Sequence, residues 1–276
     1  MQRSEVLSLF EEKKTEFFRD VTSDVAPVGI LLGGQAAVGK GQLNLWAEKF
    51  FKEKSFLSIN GDNYRSRHPQ FNELRRNVWS YSNETQIFSN VFTEKLIEES
   101  VDRRVSIVIE GTMRNPEVPL KTSDFLRKSG YGTAAFAISA PREFSLMNIF
   151  SRYYREIVSK GFGRMVDISS HNSAIAGLPV SLDRLYVEKA VDRICIFDCF
   201  ARNLVAEYRL SNGKWDSNVL PSEVIQASRE RQLKDKVFID DLLSTGETAL
   251  SDLDGEIKEK AKLAFQDLQT IRNILT

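Results

Sequence analysis

Five short runs, VGILLGG (28–34), FLSIN (56–60), VSIVIEG (105–111), AAFAIS (134–139) and RICIFDC (193–199), are apolar almost throughout, with no alternation of polar and apolar positions. A strand with one wet face shows period two, so runs like these belong to strands covered on both faces. Helical segments such as GQLNLWAEKF (41–50) and ETQIFSNVFTEKLIEES (84–100) lie between them. That order predicts βαβ units and a mainly parallel sheet flanked by helices, an α/β fold. LVAEYRL (204–210), just after ARN, adds a short hairpin strand at an edge.

The texture changes towards both ends. From Ser222 onwards the chain is charge-rich and helical, and Ile257, Ala261, Ala264, Leu268, Ile271 and Leu275 share one face of its last helix. Residues 222–276 are therefore expected to form a helical C-terminal part packed on an α/β domain of residues 23–221. Residues 1–22 mix acids, bases and apolar positions at helical spacing, which predicts an amphipathic helix and no signal peptide. No apolar run approaches the roughly twenty residues that span a bilayer, so no membrane association and a cytoplasmic location are expected.

Charge narrows the partners. Lys and Arg number 38 and Asp and Glu 38, a balance that argues against a broad phosphate-coating surface and against a nucleic-acid partner. A strand would hold Cys195 and Cys199 about 13 Å apart, too far to bridge, and buried free thiols are expected. DLDGE (252–256) resembles the start of a calcium loop, but no later ligands follow at the required spacing. A helix-entry turn is expected there, and no residue-built metal site.

The first apolar run leads into Gly34-x-x-x-x-Gly39-Lys40, and a helix follows. Glycines let successive backbone N–H groups turn inward around phosphate oxygens at the positive end of that helix, while the lysine reaches the terminal phosphates. Gly34, Gln35, Ala36, Ala37, Val38, Gly39, Lys40, Gly41 and Gln42 are the candidate phosphate-binding residues. A glycine-rich structural turn is the other reading. Gly41 stands where such loops normally carry a hydroxyl for Mg²⁺. Water can occupy that position, since Mg²⁺ keeps several waters.

Two more strand ends carry chemistry. Asp62 follows the second run at the carboxyl edge where open α/β sheets bind ligands, and a carboxylate there can take the proton of an attacking hydroxyl. An N-cap role is compatible with it. Arg65, Arg67 and His68 follow, as candidates either for contact with an anionic substrate or for a solvated surface role. Glu110 ends the third run, with Thr112 and Arg114 on the emerging loop to offer a hydroxyl and a planar donor fork. Arg152, Arg155 and Arg164 lie around the GFG break at 161–163, where a closing segment could bring cations to a phosphoryl group. Surface salt bridging is the alternative for each, and Arg155 is the weakest of the three.

GGQAAVGKG, INGDNYRSRHPQF, IEGTMR and the SRYY…GR…HNSAI segment, in this order and spacing, resemble the zeta toxin family, kinases of bacterial toxin–antitoxin modules, over about residues 28–208. The resemblance implies a P-loop kinase-like fold. It further implies phosphorylation, with ATP and Mg²⁺, of the 3′-hydroxyl of the N-acetylglucosamine unit of UDP-N-acetylglucosamine, or action on a related nucleotide such as NAD. By position it assigns Lys40 to the ATP phosphates, Asp62 to the general base, Arg152 and Arg164 to the phosphates, and Glu94, Glu110, Thr112 and Arg114 to the sugar nucleotide. Glu94 rests only on its spacing before EGTMR. The resemblance also implies an antitoxin that binds over the ATP site, a part that the N-terminal helix could play in cis or leave to another protein while it simply packs. Gly41, where the family has Thr or Ser, leaves a second class open: a catalytically impaired nucleotide-binding module that works through a protein partner.

Overall fold

The computed structural model describes residues 1–275. Seven strands, β1 (Val28–Gly33), β2 (Phe56–Asn60), β3 (Ser106–Glu110), β4 (Gly132–Ile138), β5 (Arg193–Phe197), β6 (Leu204–Ser211) and β7 (Lys214–Trp215), form one sheet. Their order is β2-β3-β1-β4-β5-β6-β7; β1 to β5 run parallel, and β6 and β7 fold back antiparallel at the edge. With β1 in the parallel centre, the tips of β1, β2 and β3 emerge side by side.

Twelve helices accompany the sheet among the described residues: α1 (Arg3–Phe17), α2 (Leu43–Phe50), α3 (Gly61–Tyr64), α4 (Phe71–Leu74), α5 (Tyr81–Glu84), α6 (Gln86–Asp102), α7 (Glu117–Lys128), α8 (Arg142–Lys160), α9 (Ile168–Val187), α10 (Pro221–Leu233), α11 (Lys236–Asp252) and α12 (Gly255–Ile274). They explain why the strands are apolar on both sides. Ile30, Leu32 and Phe136 point into one core with Leu43, Phe150 and the C-terminal helices. Leu31, Ile107 and Ala135 point into the other, with Phe92 of α6, Leu126 of α7 and Leu182 of α9. Successive strand residues face opposite layers, and both layers are buried except over β2, which lies at the sheet edge with Ser58 exposed, so the FLSIN run is not covered on both faces as expected.

The face expected on the last helix is the one that packs. Ala261, Ala264 and Leu268 are buried, and Ile257, Ile271 and Leu275 border the same cluster. Asp254 and Gly255 start α12, so DLDGE is a helix entry. At the other end, α1 lies along α6. Phe10 meets Phe92 edge-on at 5.5 Å, Arg67 pairs with Glu16 at 2.9 Å, and no α1 residue borders the cleft described below.

Cys195 sits in β5, but Cys199 lies beyond its end in a 3₁₀ turn (Cys199–Ala201), so the two do not share the expected strand. Both are buried free thiols, and burial pushes the Cys195 thiol up to about 12. No helix among the described residues is long and apolar enough to cross a membrane.

Candidate active site

The loop after β1 runs from Gly34 to Gly39 and enters a 3₁₀ turn (Lys40–Gln42) before α2, a tighter start than the continuous helix expected. Gly39 has φ 91°, and a Cβ there would lie 2.9 Å from Phe200 Cα, so both its backbone and its neighbour require glycine. Lys40 Nζ donates to the carbonyls of Gly34 (3.0 Å) and Gln35 (2.9 Å) and lies 3.8 Å from Glu110 Oε1. Burial lowers the lysine pKa, while Glu110 and Asp62 act to hold the charge.

The other loop residues divide by role. Ala36, Ala37, Gly39 and Lys40 border a cleft of about 590 Å³. The Gln35 side chain turns away and donates to Ala140 O at 2.9 Å, tying the loop to the start of α8, and Val38 is buried in the core. Gly41 and Gln42 do not border the cleft, and a Cβ at Gly41 would meet nothing within 4 Å. Gly41→Ser is therefore expected to fold normally; under the kinase function proposed below, its added hydroxyl should lower the Mg²⁺ concentration for half-maximal turnover by about tenfold, or ~1.4 kcal/mol. A Mg²⁺ titration of turnover checks this.

Asn60 at the tip of β2 organises the acids. Its Nδ2 donates to Glu110 Oε2 at 2.8 Å, and its Oδ1 accepts from Asp62 N at 2.9 Å as the N-cap of α3. Two strand tips are thus tied together, and Asp62 is aimed into the same cleft as Lys40 and Glu110. Asp62 Oδ1 accepts from Arg65 Nε at 2.9 Å, and Oδ2 lies 3.3 Å from Arg164. Burial works to raise its pKa, but Arg164, Arg65 and Arg152 outweigh it, and the carboxyl lies below its ordinary 3.8. Asp62 is therefore an anion at neutral pH, able to accept a proton.

Arg152 borders the cleft from α8, and its buried Nε has no hydrogen-bond partner. A buried donor left without an acceptor is costly, and an anionic ligand would satisfy it. Arg164 comes from the α8–α9 connection and bridges two carboxylates, Asp62 at 3.3 Å and Glu156 at 3.3 Å. Glu156 also accepts from the Arg164 backbone N–H at 2.9 Å, so it fixes both the chain and the guanidinium. Arg155 is exposed and reaches the cleft rim.

Like Gln86, Asn90 and Thr93 of α6, Thr112 and Arg114 border the same cleft. Their loop is clamped by α9: Ser181 Oγ donates to Met113 O at 2.6 Å, and a Cβ on Gly177 would lie 2.0 Å from Arg114 O. Gly177→Ala should push this loop away, costing about 1–3 kcal/mol of stability. It should also raise the KM of the phosphoryl acceptor more than that of the donor. Steady-state kinetics with each substrate varied in turn would read the difference.

Three candidates, Glu94, Arg65 and His68, are placed otherwise than the sequence invites. Glu94 points out of the cleft to pair with Arg3 at 2.7 Å, because one residue along a helix turns the side chain about 100° from Thr93. Arg65 borders the cleft but is spent on scaffolding, donating to Ser82 O, Thr85 Oγ1 and Gln86 Oε1 as well as to Asp62. His68 is buried edge-on against Phe88, whereas Arg67 takes the surface role left open for it, pairing with Glu16 of α1. Conversely, Asn60, Glu156 and Asn148 carry the site without having been singled out.

A parallel sheet with β1 between β3 and β4, a glycine-flanked loop after β1 and acids at the tips of β2 and β3 define a P-loop kinase-like α/β protein. The Zeta toxin family model matches residues 12–212, and the chain belongs to that family. It is 28% identical over 226 residues to Toxin PezT of Streptococcus pneumoniae, covering 77% of this chain and 88% of that protein. To Toxin zeta of Enterococcus hirae it is 28% identical over 190 residues, 65% of this chain and 64% of that protein. Among solved structures, the fold matches one from the PezAT toxin–antitoxin system of S. pneumoniae, with TM-score 0.68, 21% identity, and 100% and 98% of the two chains covered. It also matches the AvrRxo1-ORF1:ORF2 complex with ATP, with TM-score 0.52, 17% identity, and 98% and 85% covered.

Proposed function

We propose that this chain is an ATP-dependent kinase that phosphorylates the 3′-hydroxyl of the N-acetylglucosamine unit of UDP-N-acetylglucosamine, or a hydroxyl of a related nucleotide. The observation that carries the reading is the convergence of Lys40, Asp62, Glu110 and Arg152 on one cleft beside the phosphate-loop motif. The unpartnered donors of Arg152 and Asn148, buried at that cleft, fit an anionic ligand.

In this reading Lys40 exchanges its loop carbonyls for phosphate oxygens. Thr112, Arg114 and Glu110 orient the acceptor. Glu94 could join them only by leaving Arg3. Asp62 takes the acceptor hydroxyl proton as that oxygen bonds to the γ-phosphorus; the bond to the β-phosphate oxygen breaks, and ADP leaves. Arg152 and Arg164 neutralise charge on the transferred group. Glu110 would be the residue to hold Mg²⁺, which when bound would further neutralise the phosphates.

The relative's membership of a toxin–antitoxin system supports a protein partner that restrains the activity, and the cytoplasm as its place of action. Gly41 supports the second reading, a module that binds nucleotide without turnover. ATP, Mg²⁺ and UDP-N-acetylglucosamine incubated with the chain should yield ADP and a sugar nucleotide heavier by one phosphate, read by mass spectrometry. ATP binding without a phosphorylated product, from this acceptor or from small-molecule extracts of expressing cells, would establish the second reading instead.

A further inference from the structure

We propose that the base of the donor nucleotide lodges in a side chamber walled by α11, so that the C-terminal helices complete the donor site. This rests on the kinase reading and names where its donor is held. The cleft has two side chambers. One, of about 560 Å³, shares Asn148, Arg155 and Phe200 with it. The other, of about 370 Å³, shares Gln86, Thr112 and Arg114.

In-line transfer puts donor and acceptor on opposite sides of the moving phosphoryl group. The smaller chamber lies on the side of the general base, because Arg65 bonds both Asp62 and Gln86, so it takes the acceptor. The larger lies on the side of the phosphate loop, because Phe200 packs on Gly39 and its N–H donates to Val38 O at 3.0 Å. It takes the donor.

Three features of the larger chamber fit a nucleoside. Phe200 and Ala201 have φ of 58° and 51°, a conformation that non-glycine residues rarely hold, and this strained turn leaves the Phe200 ring 38% exposed at the chamber mouth. Phe144 backs that ring edge-on at 5.0 Å, with Phe238 stacked on Phe144. The Arg202 guanidinium lies over the Phe200 ring at 5.5 Å, a cation that an entering base would have to displace or share the ring with. An exposed, backed aromatic ring is a stacking platform for a base. At the junction with the cleft, Asn148 is 7% exposed and its Nδ2 has no partner, a donor placed for a sugar or phosphate oxygen. Asp241 and Thr245 of α11 close the far wall with acceptors for the edge of the base. The helix lies beyond the 12–212 match to the family model.

The test compares ATP with inorganic tripolyphosphate, which has the phosphates but no base, by calorimetry on the full chain. Thr245→Trp, which fills the chamber, and Phe200→Ala, which removes the platform, should each weaken ATP about tenfold or more relative to tripolyphosphate. The ratio of the two dissociation constants is the readout, because a partly unfolded sample scales both alike. An unchanged ratio in both variants overturns the proposal and leaves the kinase reading standing. Failure of the unmodified chain to bind either ligand overturns both.

Discussion

Asp62→Asn is expected to lower kcat by about 10²–10⁴ while ATP affinity stays within a few-fold, because the change removes a proton acceptor and keeps the shape. Asp62 borders the cleft in the first turn of α3, whose N-cap is Asn60, and Arg164 and Arg65 keep it ionised. Single-turnover transfer alongside equilibrium ATP binding separates the two effects; equal losses in both would mean that the carboxylate serves binding instead.

The same ion pairs set the pH dependence. Since cations hold the folded pKa of Asp62 below its ordinary 3.8, the base is lost only as pH falls through that lowered value. Between about pH 5 and 8, kcat/KM should therefore show no acid limb from this group. Removing Arg164 leaves burial, which raises the pKa, less opposed. The Arg164→Ala profile should accordingly bend downwards at a higher pH than that of the unmodified chain.

Arg152→Ala should cost about 10²–10³ in kcat, the usual worth of one preorganised charge stabiliser. Its guanidinium is mostly buried beside Lys40 and Asp62, where a charge acts through less water than at the surface. Burial and Arg164 push its pKa below the usual guanidinium range despite the opposing pull of Glu156, Asp62 and Glu110, so a further anion there would be stabilising. Arg152→Lys restores a charge without the planar fork and should recover only part of the loss. Full recovery in Arg152→Lys would show that charge alone suffices.

The architecture was legible because β1, β3, β4 and β5 are buried on both faces, and burial on both faces writes itself as unbroken apolar runs; β2, at the sheet edge with Ser58 exposed, is covered on one face only. Lys40, Asp62, Glu110, Thr112 and Arg114 could be placed together because each follows directly from a strand tip, where chain position dictates spatial position. Glu94 could not, because on a helix a neighbour in sequence points elsewhere, and Thr93 faces the cleft in its stead. Asn60, Glu156 and Gly177 escaped notice for a different reason. Each acts on a partner from another element, Glu110, Arg164 and Arg114, and no local spacing encodes such pairings. The Phe200 turn is similar: its strain follows from its seat on Gly39, and that contact spans 161 residues of chain, 200 − 39.

The two carbonyls that Lys40 occupies have a thermodynamic consequence. An ammonium sunk this deep with no acceptors would weigh against folding, whereas here Gly34 and Gln35 satisfy it from within its own loop. In the proposed reading, nucleotide entry is a trade of one set of oxygens for another, and measured affinity reports the difference between the two sets.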